Sequence, residues 1–527
     1  MKTIEGSDRN QAQLLPRSIE EYVGPDNPVR FLEAYVNQLN LQRLGFIFPK
    51  ENPEERGRPG YHPADMLKLY LYGYLHRIRS SRRLEAECAR NLELMWLMRD
   101  LKPDFKTIAD FRKNNSGAFK GVLRGFNQIC QELNLFGREL FAVDGTKVKG
   151  QNAVSKNWSV GKLEKKSRQL EKRLAEYLQA LEQADQNEPA ALSVAELQQK
   201  IAQLQERQQQ VEQKLKEIEQ SGQSQISASD PDSRSMKTAK GFIVGYNVQG
   251  AVDSKHHLLA CTSVTNAVVD QGQLASVVQE LKEQMQLDGA EVTADGGYFA
   301  AEDIKSCQQM GMPVHLPQVN NSPSERAGLF GKKHFSYDAL KDCYQCPAGQ
   351  QLSKRREVMD KGQRRFNYEN RQACAQCQIK SRCTETTFRT ISRCEAEEYV
   401  EQMIDRVAAQ PEKLAQRKAL IEHCWGTLKW LAPEGFLLKG LKKVGAELAL
   451  MHFAYNFKRA LKVVGLEKLL EVLTKVEGPL DPKRPSRPSE PGATVSRSLK
   501  SPFCLKTIQL SVLLRQTIDY WYRPRAA

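Results

Sequence analysis

Apolar residues recur every three or four positions over much of the first 140 residues, and this period predicts helices. The clearest helix follows His62-Pro63, a favourable helix start, and runs over ADMLKLYLYGYLHR, from Ala64 to Arg77. Ser80-Ser81 is placed to cap a second helix, RRLEAECARN. Short helices joined by polar turns predict a helical N-terminal region of the helix-turn-helix kind.

The period changes near residue 140. Leu140–Val143 forms a brief apolar run that ends in Asp144-Gly145, which suits a buried strand running into a turn. Residues 242–252 and 257–264 read as a β-hairpin, residues 271–285 as an amphipathic helix, and residues 291–294 as a short strand before Asp295. Strands mixed with crossover helices predict a mixed α/β or α+β core.

Two heptad seams lie between residues 161 and 220, and Asn187-Glu188-Pro189 interrupts them. The simplest structure is an antiparallel helical hairpin that is inserted into the core. Residues 476–499 are rich in Pro, Ser and charge, which predicts disorder.

Charge narrows the class of partner. The 527 residues include 78 Lys+Arg and 63 Asp+Glu, a net charge of 78 − 63 = +15, and the pI is about 9.1. This excess predicts a polyanionic partner, with nucleic acid first and an anionic membrane surface second. The sequence contains no run of ~18 apolar residues and no secretory signal, so we expect a cytoplasmic protein.

Four arginines cluster at the junction of the first two predicted helices. They are Arg77, Arg79, Arg82 and Arg83. Such a cluster predicts contact with DNA, although a solvated helical face is the alternative.

Three acidic residues are candidate ligands of a divalent metal ion. Asp144 and Asp295 each follow a short strand, and carboxylates there suit a hard divalent cation, although Asp-Gly is also common turn chemistry. Glu422 lies on a predicted helix in a basic segment with Trp425 and Trp430. Cations and flat rings around a carboxylate suit a phosphodiester backbone with a metal at its centre.

The segments AVDGTKVKG, GYNVQGAVD, TADGGYF and RKALIEHCWGTLKW resemble DDE transposases of bacterial insertion sequences. The N-terminal helices and FLLKGLKKVGAELALMHFAYNFKR resemble the flanking blocks of that family, so the likeness runs from about residue 15 to 462. It is greatest to the IS eleven-eighty-two group, whose members often have Pro-Phe where this chain has Cys424-Trp425.

The resemblance implies an RNase H-like fold whose catalytic and metal-binding residues are Asp144, Asp295 and Glu422. It implies two Mg²⁺ or Mn²⁺ ions, and double-stranded DNA, both element ends and target, as the substrate. Lys429, seven residues after the Glu, would contact terminal DNA, as would Lys147. A homo-oligomer on DNA is expected in a nucleoid-associated bacterial enzyme, and no phosphate-binding motif suggests a nucleotide cofactor.

The domains expected on this basis follow the changes of pattern along the chain. They are a helical DNA-binding domain (1–135), the first part of the catalytic core (136–335, with the hairpin at 161–220), a Cys-rich insert (336–395), the C-terminal helices of the core (396–475), and a disordered linker and tail (476–527).

The Cys-rich insert contains paired CxxC motifs with the reach to bind zinc. The predicted ligands of a structural zinc are Cys343, Cys346, Cys374, Cys377 and Cys383. Reduced thiols without a metal are the alternative.

Two other functions are compatible with these residues. A non-catalytic DNA-binding protein, such as a degenerate transposase, would use the helices without the chemistry. A related metal nuclease would cleave DNA without joining it.

Overall fold

A computed structural model describes residues 18–49, 59–186, 194–287, 289–318, 323–360 and 362–475. The predicted disordered segment and C-terminal tail lie outside these residues. Within them, no helix is both long and apolar enough to cross a bilayer.

The described N-terminal residues form six α-helices. They are α1 (Val29–Asn37), α2 (Pro63–Leu75), α3 (Ser81–Arg90), α4 (Leu92–Leu97), α5 (Phe105–Asn114) and α6 (Phe119–Glu132). The two helices predicted by name in this region are confirmed as α2 and α3, with small shifts at their ends. Proline at the first position of α2 needs no backbone donor there, and the His62 side chain accepts from the Ala64 N–H.

The structure has more strands than the apolar pattern predicted. In chain order they are β1 (Leu140–Lys149), β2 (Asn157–Ser159), β3 (Gln225–Ser227), β4 (Arg234–Thr238), β5 (Gly241–Asp253), β6 (Leu259–Thr265), β7 (Glu291–Thr293), β8 (Val314–His315), β9 (Ser336–Asp338), β10 (Cys343–Gln345), β11 (Gln351–Asp360), β12 (Gln363–Glu369) and β13 (Thr390–Cys394).

The main sheet has the order β6, β5, β1, β7, β8, with β4 pairing with the first residues of β5. β5 is antiparallel to β1 and β6, whereas β7 is parallel to β1 and β8. The predicted hairpin is therefore confirmed as β5 and β6. The predicted turn at Asp144-Gly145 is wrong, because β1 continues to Lys149 while it pairs with β5.

The later helices begin with α7 (Val160–Gln186) and α8 (Val194–Ser221), which lie between β2 and β3. Lys214 lies over the Trp158 ring near the first end of α7, and Lys200 lies over Tyr177 further along, so the helices run antiparallel. Their seam buries apolar side chains from both helices: Leu163, Leu170, Leu204, Val211 and Ile218.

The remaining helices flank the main sheet and the second sheet, whose order is β13, β12, β11, β10, β9. They are α9 (Leu274–Met285), α10 (Ala301–Gln309), α11 (Pro323–Arg326), α12 (Arg371–Ala375), α13 (Glu397–Ala409), α14 (Pro411–Leu431) and α15 (Leu441–Lys475). α14 lies on β1 and β5, and α15 packs against α2, α6 and β6.

One continuous core joins the N-terminal helices to the main sheet and to α15. Phe31 and Phe126 of the N-terminal helices contact Phe457 of α15, and Tyr35 stacks on Phe453. The N-terminal helices therefore share their apolar interior with the rest of the described chain.

The buried His452 on α15 makes stability sensitive to acid. Its Nε2 donates to the Leu259 carbonyl and its Nδ1 accepts from Thr262, so the neutral ring is fully bonded. Burial lowers the pKa of His452 to about 4. The unfolded chain then binds a proton that the folded chain excludes, so stability falls as pH drops from about 6.5 to 4.

Because of His452, we expect the free energy of unfolding to fall by about 3 kcal/mol as the pH drops from about 6.5 to 4. Denaturant titrations at several pH values, on the wild type and on His452→Gln, measure it. The variant should show a flatter dependence on pH. Equal pH slopes for the two proteins would contradict the prediction.

Candidate active site

The parallel pairing of β1 and β7 brings Asp144 and Asp295 together. The register aligns Ala142 with Thr293, so two residues further on Asp144 comes opposite Asp295, just past the end of β7. Leu140–Val143 of β1 is a continuous buried apolar run, as expected of a strand that is covered on both faces.

Burial raises the pKa of Asp144 to about 6. The Gly145 N–H donates to its Oδ1 at 2.8 Å and opposes this shift, whereas the negative charges of Asp295 and Asp270 add to it. Arg417 also lowers the pKa, but its Nη1 lies 3.9 Å from Oδ2. A carboxylate with so little compensation is suited to a divalent cation.

Asp295 begins a short 3₁₀ turn, and its Oδ1 accepts the Gly297 N–H at 2.8 Å. That bond holds the carboxylate beside the end of β7. Mg²⁺ is usually bound through one or two carboxylates together with substrate phosphates and water. The pair of Asp144 and Asp295 therefore fits one such ion when a phosphate is present.

The third predicted carboxylate does not join this pair. The Glu422 side chain is 59% exposed, and its nearest cation is Lys418 at 3.9 Å, one turn back on α14. The buried face of α14 includes Ile421, and the next residue on a helix points about 100° away. Over the described ranges, no three Asp, Glu, His or Cys side chains are grouped to hold a metal ion.

Arg417 and Lys429 of α14 lie on the side of the helix that faces Asp144, and the Arg417 Nη1 is 3.9 Å from Asp144 Oδ2. They flank Ile421 and Trp425 at four-residue spacing, so this row of side chains faces the sheet. Burial lowers the pKa of Lys429, and the Asp144 charge acts against that shift. Lys429 thus lies on the Asp144 side of the helix.

Trp425, one of the departures from the related group, packs against the sheet beside the site. A Cβ placed on Gly250 would lie 2.9 Å from the Trp425 ring, and Gly250 is the β5 partner of Asp144. The neighbouring Cys424 is buried, and its Sγ lies 2.9 Å from the Tyr455 hydroxyl. Both departures therefore pack in the core.

A polar network supports the site from the other face of β1. Asp270 accepts from Lys147 at 2.8 Å, from Asn247 at 2.7 Å and from Gln249 at 2.8 Å. Burial raises the pKa of Asp270, but these donors outweigh it and leave the pKa lowered. Tyr298, in the loop that begins with Asp295, donates to Gln249.

This network links β1, β5 and the Asp295 loop, and no sequence motif indicated it. The only local signal was the two-residue spacing of Asn247 and Gln249, which puts both on one face of β5. Lys147, predicted to contact DNA, is instead paired with Asp270 and only 15% exposed.

Gly145 is required by close packing, not by a turn. A Cβ there would lie 2.5 Å from Gln249 Nε2, 2.6 Å from Asp270 Oδ1 and 3.0 Å from the Tyr298 hydroxyl. We expect Gly145→Ala to cost about 1–3 kcal/mol of stability through this overpacking. Gly161→Ala on α7, where a Cβ meets nothing within 4 Å, is the control.

Denaturation midpoints measure both changes. Gly161→Ala should leave stability unchanged or raise it, because alanine has a higher helix propensity than glycine. If Gly145→Ala is as stable as the wild type, the side chains around Gly145 must shift to make room for the methyl group without loss of stability.

The N-terminal arginines have different surroundings. The Arg77 guanidinium lies over the Trp430 ring, 3.9 Å from its centroid, and that of Arg82 over Phe105 at 5.0 Å. Arg79 is buried against Glu447, so its predicted contact with DNA is corrected to a structural ion pair. Arg83 borders an open cavity.

The Cys-rich insert brings together four of the five predicted ligands. Cys346, Cys374, Cys377 and Cys383 line one cavity of about 30 Å³. Cys343 is not in this set, because it is buried on β10. No three of the described thiols are grouped to hold a metal ion, so the structure does not support the predicted zinc.

Two family models match parts of the chain. The family described as transposase domain (DUF772) matches residues 17–114, and the transposase DDE domain family matches residues 345–461. Together the matches support an insertion-sequence DDE transposase, and they confirm the predicted resemblance. The second match includes Glu422 but neither aspartate.

No curated protein matches the chain. Among solved structures, the cryo-EM structure of a piggyBac transposase synaptic complex with hairpin DNA aligns over 92% of both chains, at 8% identity. Its TM-score of 0.21 is too low to indicate a shared fold.

Proposed function

We propose that this protein cleaves DNA at the ends of an insertion sequence and joins them to target DNA in a divalent-metal-dependent reaction. The observation that carries the proposal is that the parallel pairing of β1 with β7 brings Asp144 opposite Asp295, which lies just past the end of β7. Two oxygen-donor side chains at one edge of a sheet suit Mg²⁺ or Mn²⁺ and a phosphodiester.

The order of strands supports an RNase H-like core. β4 belongs to the segment that follows the helical insertion and is left out of this comparison. The other strands of the main sheet, β6, β5, β1, β7 and β8, are then the third, second, first, fourth and fifth in chain order. In that fold the first acid lies on the first strand, the second follows the fourth, and a glutamate lies on a late helix. The positions of Asp144 on β1, of Asp295 after β7 and of Glu422 on α14 support this assignment.

Each residue has a proposed role. Asp144 and Asp295 would hold a divalent ion and orient the scissile phosphate, and Glu422 would complete the site once α14 turns or shifts toward β1. Bound metal ions would activate the attacking water or 3′-hydroxyl and stabilise the departing oxygen. Arg417 and Lys429 would contact DNA phosphates beside Asp144, and a homo-oligomer would pair the two ends.

A second candidate is a non-catalytic DNA-binding protein. The exposed position of Glu422 and its pairing with Lys418 favour this alternative, because a degenerate enzyme need not assemble three carboxylates. It would use the N-terminal helices and the basic residues around α14 to hold DNA.

Purified protein with Mg²⁺ or Mn²⁺, incubated with DNA bearing the element ends, tests the proposal. We expect cut ends and joined strand-transfer products, both absent when EDTA is added. Binding without cutting would contradict the enzyme proposal, and cutting without joining would indicate a nuclease.

A further inference from the structure

An open cavity of about 440 Å³ lies where the N-terminal helices meet the end of α14. Its volume is within the range of about 300–1,000 Å³ that is typical of small-ligand sites. The lining residues come from the α2–α3 junction and from the segment that ends α14: His76, Arg77, Arg79, Ser80, Arg83, Leu431, Pro433, Glu434 and Leu437.

The two walls of the cavity differ in chemistry. One wall is cationic and polar, with Arg77, Arg83 and Ser80, whereas the other presents Leu431, Pro433 and Leu437. A phosphate alone would use only the first wall. A nucleotide, with an anionic phosphate and a flat, largely apolar base, matches both.

Arg77 is held in place on the cationic wall. Its backbone has φ +62°, a left-handed conformation that a non-glycine residue seldom adopts. Its guanidinium stacks on Trp430, whose other cationic neighbour is Lys458 at 5.8 Å from the ring centroid. A guanidinium fixed in this way loses little freedom when it binds a phosphate.

The acidic member of the lining is Glu434, which is exposed. Its carboxylate opposes a second phosphate in the cavity and offers an acceptor to the exocyclic amino group of a base such as cytosine. Both effects favour one nucleotide over inorganic phosphate.

The cavity is also bonded to the strand that bears Asp144. The segment after α14 donates from the Phe436 N–H to the carbonyl of Lys149, the last residue of β1, at 2.8 Å. The Gln151 side chain donates to the Phe436 carbonyl at 2.7 Å. A strand held in the cavity would therefore have a fixed position relative to β1.

We propose that this cavity binds one unpaired nucleotide of the DNA, with its phosphate on Arg77 and Arg83 and its base against Leu431, Pro433 and Leu437. The proposal rests on the proposed function, because it assumes that DNA is the substrate. Trp430 is a positioning residue, since it acts through Arg77.

Binding in EDTA at one salt concentration tests the proposal separately from cleavage. Three duplexes of one sequence are compared: one with a short single-stranded dC extension, one with an abasic extension of equal length, and one that is blunt. We expect the wild type to bind the dC extension about tenfold more tightly than the abasic one. Equal affinity for the two extended duplexes would overturn the proposal.

Variants locate the effect. Ser80 directly precedes α3 and makes no side-chain capping bond, so Ser80→Trp should fill the cavity at little cost to the helix and remove the preference for dC. Arg77→Ala and Trp430→Ala should weaken binding of both extended duplexes, and Trp430→Phe should restore it. Arg90→Ala, at the other end of α3, is the control. A Ser80→Trp protein that keeps the preference would place the base elsewhere.

The outcomes separate this proposal from the enzymatic one. A wild-type protein that cuts the element ends but binds the dC and abasic extensions equally well contradicts only the nucleotide site. Failure to bind any of the three duplexes contradicts both proposals.

Discussion

Replacing Asp144 or Asp295 with Asn is expected to lower the rate of end cleavage and of strand transfer by about a thousandfold. A metal ligand that stabilises charge in the transition state contributes several kcal/mol, and each 1.36 kcal/mol corresponds to a tenfold change in rate. Asn keeps the size of the side chain and removes the charge. Product formation on labelled element ends measures the loss.

These variants should fold and bind DNA. Neutralising Asp144 removes a carboxylate whose ionised form is disfavoured by burial, so we expect thermal stability to be unchanged or raised. Affinity for the ends in EDTA should match that of the wild type. Variants that cut and join at the wild-type rate would show that the paired aspartates are not the reaction centre.

Glu422→Gln separates the active enzyme from a degenerate one. If α14 brings Glu422 to the aspartates when DNA and metal bind, this variant should lose as much activity as Asp144→Asn. Glu412→Gln, in the first turn of the same helix, is the matched control, since it is also exposed. Full activity in Glu422→Gln would remove Glu422 from the catalytic set.

Local patterns were sufficient for the two strands that lead to the aspartates. Leu140–Val143 is a short apolar run followed by Asp144, and residues 291–294 are a short strand-like segment followed by Asp295. The β5–β6 hairpin followed from strand alternation around a polar turn. Each of these features depends on residues close together in the sequence, which is why the sequence predicts them. The meeting of Asp144 with Asp295 depends instead on the pairing of β1 with β7, which are far apart in the sequence.

Side-chain orientation and long-range pairing were not predictable in this way. The Asp270 network joins residues from three separate segments, and only the folded sheet shows that they meet. The buried face of α14 mixes Cys424 and Trp425 with aliphatic residues, so the apolar pattern did not show that Glu422 lies beside that face and not on it.

Arg79 is the clearest case of a residue whose partner is distant in sequence. It was predicted to contact DNA because three other arginines lie within six residues. Its Nη1 instead donates to Glu447 Oε1 at 3.0 Å and to the Gly435 carbonyl at 2.8 Å. Glu447 is fully buried, and its Oε2 accepts the Leu437 and Leu438 N–H groups at 2.8 and 3.1 Å.

Glu447→Ala is therefore expected to cost about 3–5 kcal/mol of stability, because it leaves the Arg79 charge buried without its partner. It also removes the acceptor that orders the segment after α14. Chemical denaturation of the wild type and the variant measures the loss. Glu87→Ala, which removes the ion-pair partner of the exposed Arg90 on α3, is the control and should cost at most about 1 kcal/mol.

A double replacement distinguishes the loss of the carboxylate from the burial of an unpaired charge. In Arg79→Met with Glu447→Leu neither charge remains, so much of the lost stability should return, although the Leu437 and Leu438 N–H groups stay without their acceptor. If Glu447→Ala alone is as stable as the wild type, the pair contributes nothing and Arg79 is free to turn toward DNA. If the single and double variants are equally destabilised, the backbone bonds of Glu447, and not its charge, hold the N-terminal helices to the end of α14.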